Sequence, residues 1–304
     1  MSRRLLVVLA LPLAMLAACS SDDKPSPSTP DSSTPTAPNG SAGTIPTSET
    51  LPDSPSQSIT KPTVTLPVST PTKLTVTDLT PGSGVAAATG SRVILYYVGV
   101  RSANGLEFDS NYGGEPFEVT LGTQSVIEGW EQGLIGAKAG MRRQLDIPNE
   151  LAYGTSDRGS VIKSGDALTF VVDVLAVVPV TTKDDAPDVL IAKAANVGAV
   201  TSRDLVQGTG PAWKPGAYGV AQVIAVNAAD GQILDSTWTA GGAQTLRLGQ
   251  LLPGMNDGLA GMKAGGRRQL QIPYAKAFGD AGQAGLGLPA KTDLILVVDL
   301  IAVF

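Results

Sequence analysis

Strand-length runs of apolar, β-branched and aromatic residues recur through the middle of the chain, at residues 92–101 (RVILYYVGVR), 117–121, 143–147 and 168–178 (LTFVVDVLAVV). Runs of this length and composition, bounded by small and polar residues, predict strands. Gly82-Ser83-Gly84, Asn104-Gly105 and Gly113-Gly114 supply turns between them. Helical spacing occurs once, at 126–135 (VIEGWEQGLI), where Val126, Trp130 and Leu134 recur at i, i+4 and i+8 with Ile127 beside them. One short helix with a single apolar face needs cover, so the pattern predicts an α+β unit with its sheet curled over that helix.

The same pattern follows again. Residues 133–148 read GLIGAKAGMRRQLDIP and residues 258–273 read GLAGMKAGGRRQLQIP. The register extends outward, since Leu79, Gly82, Gly84 and the segment 104–110 match Leu205, Gly208, Gly210 and the segment 230–236. A chain of 304 residues fits two such units in tandem. We place the first at 62–180, a polar linker (TTKDDA) at 181–186 and the second at 187–304. Each is long enough to bury a core without disulfides or metal.

The N-terminal segment has a different composition. Arg3 and Arg4 precede an apolar run over 5–18 that is short for a membrane span and fits a cleaved leader, 1–18. Leu16-Ala17-Ala18-Cys19 resembles a bacterial lipobox. That resemblance implies lipidation of Cys19, anchoring to the membrane through the acyl chains and a place outside the cytoplasm, on the outer face of the cell membrane. Ser, Thr and Pro dominate from there to about residue 72, with few apolar positions. We expect a disordered tether over 19–61, and the whole Ser/Thr/Pro stretch to about residue 72 has an extended reach on the order of 150 Å at about 3.1 Å per residue.

Composition narrows the chemistry. The net charge is −5 with no polybasic run, which argues against nucleic-acid binding. There is no histidine, and Cys19 is the only cysteine. Histidine-dependent nucleophilic sites and His/Cys zinc sites are thereby excluded, as is a disulfide within the chain. The remaining tools are carboxylates, hydroxyls, backbone amides and apolar shape.

Tyr97-Val98-Gly99, NGLEFDS (104–110), EPFEVTLG (115–122), VIEGWEQGL (126–134), AYG (152–154) and the closing LTFVVDVLAV occur in order through the first unit. Together they resemble the FKBP-type peptidyl-prolyl cis-trans isomerases. The resemblance implies an antiparallel sheet of five or six strands wrapped around a short helix, with the active site between them. It implies a pocket with Trp130 as its floor and Tyr97, Phe117 and Phe170 as walls, completed by Phe108, Val126 and Ile162. The backbone amide of Ile127 and the Tyr153 hydroxyl would bind substrate carbonyls. Asp109 would sit at the pocket edge, hydrogen-bonded to Tyr97. Proline-containing polypeptides would be the clients and macrolides the expected inhibitors, with no cofactor or metal required. Arg158 stands where the family often has His, and Lys163-Ser164 where a Pro pair is common, which bears on substrate preference and macrolide affinity.

In the second unit the matching positions read Val223, Leu234, Gln244, Met255, Phe278 and Leu296, and only Asp235 repeats Asp109. The fold is expected to survive there and the proline slot is not. The repeated Arg142-Arg143 and Arg267-Arg268 read as solvated charges at strand ends, outside the pocket. Two functions follow: a lipid-anchored prolyl isomerase with one catalytic and one degenerate domain, or a non-catalytic chaperone or scaffold that uses the same folds to hold exported proteins.

Overall fold

The computed structural model describes residues 60–188, 196–240 and 242–304. The leader 1–18, Cys19 and the tether up to residue 59 lie outside the described residues, so the expectations placed on them are neither supported nor opposed by it.

The first repeat runs β1 (Thr75–Thr80), β2 (Arg92–Arg101), β3 (Glu107–Ser110), β4 (Phe117–Thr120), α1 (Glu128–Gly133), β5 (Arg142–Ile147) and β6 (Leu168–Val178). These six strands form one antiparallel sheet in the order β1-β5-β6-β2-β3. β4 shares the β3 edge of β2: residues 92–95 of β2 pair with β4, and residues 98–100 pair with β3. The second repeat runs β7 (Thr201–Val206), β8 (Tyr218–Asn227), β9 (Ile233–Ser236), α2 (Thr237–Ala240), β10 (Gln244–Arg247), α3 (Pro253–Leu259), β11 (Gly266–Ile272) and β12 (Leu294–Val303). Its sheet has the equivalent order, β10-β8-β12-β11-β7 with β9 on β8.

α1 lies against β5 because two glycines let it. A Cβ on Gly133 would sit 2.7 Å from Leu145 Cδ2, and one on Gly129 would overlap Ile147. Leu134, Leu145, Ile147 and Leu168 are fully buried in the resulting core. The helix is shorter than the predicted 126–135. Ile127 is its extended N-cap and Leu134 its C-cap, and Gly136 turns the chain away at φ 78°. A segment with glycine at 129, 133 and 136 has little intrinsic helicity, so only the turns that pack on the sheet persist. Val126 and Ile127 therefore reach the core from the extended entry to the helix.

The paired arginines are not solvated strand-end charges. Arg143 donates to both carboxylate oxygens of Asp78 on β1, at 2.6 and 3.2 Å, and to the carbonyls of Gly133 and Ile135 at 2.9 Å each. It thus ties the end of α1 and strand β1 to β5, satisfying carbonyls that a helix terminus leaves open. Arg268 does the same with Asp204 and Gly258. Arg142 and Arg267 form two-pronged pairs with Asp173 and Asp299. Charge-assisted forks of this kind explain why the RRQL segment is shared by both repeats.

Two further departures concern the outer faces of the sheets. Composition extends the tether to about residue 72, yet Val64 packs on Val98, Val100 and Val171, and Gln144 donates to the Thr65 carbonyl. In the second repeat, α2 places Trp238 on Ile224, Val226, Ile295 and Val297, so that unit has two α-helices where one was expected. Thr237, fully buried, anchors α2 by accepting from the Val223 amide.

Candidate functional site

β2 sets the geometry of the first repeat's site. Alternation along the strand turns Leu95, Tyr97 and Gly99 toward α1. Gly99 pairs with Phe170 on β6 and with Asp109 on β3. It is the one place on the strand where a side chain does not fit, since a Cβ would lie 2.7 Å from both Phe108 Cζ and Phe170 Cε1. Those two rings close over it, 5.5 Å apart and edge to face.

Trp130, projecting from α1, is 4% exposed and forms the centre of the cluster. Tyr97, Phe117 and Phe170 pack edge-on against its indole at 5.2, 5.9 and 5.2 Å between centroids. Edge-to-face contact is the preferred arrangement for aromatic quadrupoles and fixes ring orientation as well as position. Trp130 Nε1 is buried without a hydrogen-bond partner. Phe117, on the short edge strand β4, remains 37% exposed and forms the open side. Val126, Ile127, Tyr153 and Ile162 pack into the same cluster.

Tyr97 Oη donates to Asp109 Oδ2 at 2.6 Å. Burial, then the Asp109 carboxylate, pushes the Tyr97 hydroxyl above its ordinary range, so it remains a donor at neutral pH. Ile127, as N-cap, presents a backbone N–H that the helix ladder does not use. All ten residues singled out from the sequence are thus brought together: eight in the cluster, with Phe117 joined through Trp130 and Asp109 through Tyr97.

The loop that carries Tyr153 and Ile162 is braced by carboxylates at Lys163-Ser164. Asp166 accepts from the Lys163 amide at 2.6 Å and pairs with Arg101 at 2.8 Å, while Asp157 accepts from the Ser164 amide at 2.8 Å. Burial pushes the Asp166 carboxyl up, but the Arg101 guanidinium and the Lys163 amide outweigh it and hold the group below the usual carboxylate range. The Arg158 guanidinium lies 5.1 Å over the Tyr153 ring, a cation–π contact.

Sequence reasoning missed Asn111, whose side chain accepts from the Tyr97 amide at 2.7 Å and donates to the Leu95 and Glu115 carbonyls. Its place directly after the FDS segment was the available signal.

The second repeat closes the equivalent space. Met255 and Leu296 are fully buried, with Val223 and Leu288 nearly so. Asp235 pairs with Ala225 as Asp109 pairs with Gly99, but Val223 has no hydroxyl to give it, and Asp235 Oδ2 is buried without a partner. A different tryptophan restores packing: Trp213 stands where the first repeat has Ala87, each receiving the same backbone hydrogen bond pattern. Gly219 admits its ring, since a Cβ there would lie 2.5 Å from Trp213 Cε2.

Among the described residues no group of His, Cys, Asp and Glu is placed to hold a metal, and no helix is long and apolar enough to cross a membrane.

A model of the FKBP-type peptidyl-prolyl cis-trans isomerase family matches the chain twice, over residues 84–175 and 217–301. A relative described as FK506-binding protein, from Streptomyces anulatus, is 44% identical over 125 residues, 40% of this chain and 99% of its own length. The probable FK506-binding protein of Corynebacterium glutamicum is 40% identical over 118 residues, 38% of this chain and 98% of its own. The crystal structure of the three FKBP domains of wheat FKBP73 aligns over 76% of this chain and 94% of that one, at 14% identity and a TM-score of 0.35. With both repeats matched, the chain belongs to the FKBP-type peptidyl-prolyl cis-trans isomerase family and carries its fold in tandem.

Proposed function

We propose that the first repeat, residues 62–180, isomerises X-Pro bonds of exported polypeptides, and that the second, 187–304, is a degenerate copy without a proline slot. The observation that carries this reading is the ring of Tyr97, Phe117 and Phe170 around Trp130, which the second repeat replaces with closed packing around Met255 and Trp213.

Amide resonance sets a barrier of ~18–20 kcal/mol to rotation about the X-Pro bond. Resonance places charge on the carbonyl oxygen, and water stabilises that planar form. An aromatic pocket that seats the proline ring on Trp130 removes the water and weakens the preference for planarity. The Ile127 amide and the Tyr153 hydroxyl hold the chain on either side while the bond turns. Asp109, fixed by the Tyr97 hydroxyl, faces the rotating amide from the pocket edge. No covalent intermediate is involved, which suits a chain without histidine. The braced Tyr153–Ile162 loop forms the remaining wall and is where macrolide affinity is set.

The leader 1–18, a lipidated Cys19 and the tether 19–61 complete the proposal by holding the enzyme at the outer face of the cell membrane. Turnover of an X-Pro peptide in a protease-free assay tests it. Wild type is expected to be active and Asp109→Val strongly impaired. An inactive wild type that still suppresses client aggregation would replace catalysis with a holding role.

A further inference from the structure

The two repeats belong to one compact unit, and the second touches the first beside its pocket. Ile94 is fully buried although it lies on β2 between the inward-facing Val93 and Leu95. Its cover comes from the second repeat, where Val220 and Ala243 join it in an apolar cluster flanked by Ile301 and Phe304. Both faces of β2 at this point are therefore dry.

Around that cluster, polar contacts converge on one segment of the first repeat. Tyr218 Oη donates to the Glu115 carboxylate, and Thr245 Oγ1 donates to Glu118 Oε1 at 2.6 Å. Arg92 bridges the same seam, donating to Glu118 Oε2 at 3.1 Å and to the Ala243 carbonyl at 2.6 Å. Glu115 and Glu118 bracket Phe117, the exposed wall of the pocket. Its strand β4 has four residues and, among the described residues, pairs only with β2. A short edge strand held along one side is a weak support for a wall that must keep its place. Tyr218 is itself held by stacking on Phe304 at 5.8 Å and by the Arg247 guanidinium 5.3 Å over its ring.

We propose that the second repeat is a positioning element for the first repeat's pocket, with Tyr218 and Thr245 holding the segment 115–118 and thereby Phe117. Loss of a second proline slot and gain of this role are compatible, because the contacts use the outer face and edge of the second sheet. The proposal rests on the prolyl-pocket reading of the first repeat.

The test is steady-state isomerase kinetics on the full chain carrying Tyr218→Phe and Thr245→Val together, changes that remove the hydroxyls and keep the shapes. On the prolyl-pocket reading Phe117 walls the bound substrate, so its displacement is expected to raise KM about threefold to tenfold with kcat nearly unchanged, the size expected for two modest hydrogen bonds. Glu115→Gln with Glu118→Gln weakens the same contacts from the other side and is expected to act alike. In a Phe117→Ala background the hydroxyl deletions are expected to have no further effect. An unchanged KM overturns the proposal while leaving the pocket reading intact, as does a KM rise of equal size without Phe117. A wild-type chain with no turnover overturns both.

Discussion

Replacing Arg143 with Met removes the guanidinium while keeping most of the apolar stem. In the folded protein the Arg143 side chain is 7% exposed and makes four hydrogen bonds. The Asp78 carboxylate is 44% exposed, so it regains water and its loss is discounted to about 0–1 kcal/mol. The Gly133 carbonyl is different: it faces the protein interior, and leaving such a group unsatisfied costs about 1–3 kcal/mol. Adding a smaller contribution from the partly buried Ile135 carbonyl gives a loss of about 1–4 kcal/mol. Trp130 is the only tryptophan of residues 62–180, with Trp213 and Trp238 in the second repeat. A Trp213→Phe, Trp238→Phe background therefore reports urea unfolding of the first repeat by fluorescence, and Arg143→Met is compared within it. Because Arg143 ties down the end of the helix that carries Trp130, turnover is expected to become heat-sensitive over the same range. A destabilisation below about 0.5 kcal/mol would show that Arg143 is an ordinary surface charge and that the bracing role is wrong.

Gly99→Ala drives a methyl against Phe108 and Phe170, with an expected cost of about 1–3 kcal/mol and a larger proportional loss of kcat/KM, measured by unfolding and peptide turnover. Trp213→Ala empties the packing that replaces the lost aromatics of the second repeat, and denaturant unfolding is expected to show a loss of about 3–5 kcal/mol. The Asp166 carboxyl titrates below its unfolded value, so its stabilising effect is full above the ordinary carboxylate pKa and is lost as pH falls through the depressed one. Acid unfolding should accordingly begin at higher pH in Asp166→Asn than in wild type; coincident acid transitions would remove Asp166 from the account.

The strands and the aromatic cluster were legible because their signals are local. Runs such as 92–101 and 168–178 became β2 and β6 with the expected limits, since each is buried on at least one face along its length. β1 was not foreseen: TVTDLT is exposed at every position, and its place comes from backbone pairing with β5 rather than from burial. Arg143 was misread for a related reason. Its partner Asp78 lies 65 residues away, and nothing near an arginine in sequence reveals a carboxylate brought there by the sheet. The contacts between repeats are further out of reach, with Tyr218 and Glu115 separated by 103 positions. Of the ten residues, Tyr97, Phe108, Asp109 and Phe170 are aligned by the register of β2, β3 and β6, and the other six are brought to them by β4, by α1 with its extended entry, and by the loop that carries Tyr153 and Ile162.

The central claim is asymmetry, one working pocket in a duplicated chain. Trp130→Met gives the first repeat the residue that the second already has at that place, Met255, and leaves the second untouched. With the second repeat's intactness followed through Trp213 and Trp238, kcat/KM for an X-Pro peptide is predicted to fall about a hundredfold, equivalent to about 3 kcal/mol of lost transition-state binding. Turnover within about twofold of wild type would mean that the ring around Trp130 is not the active site.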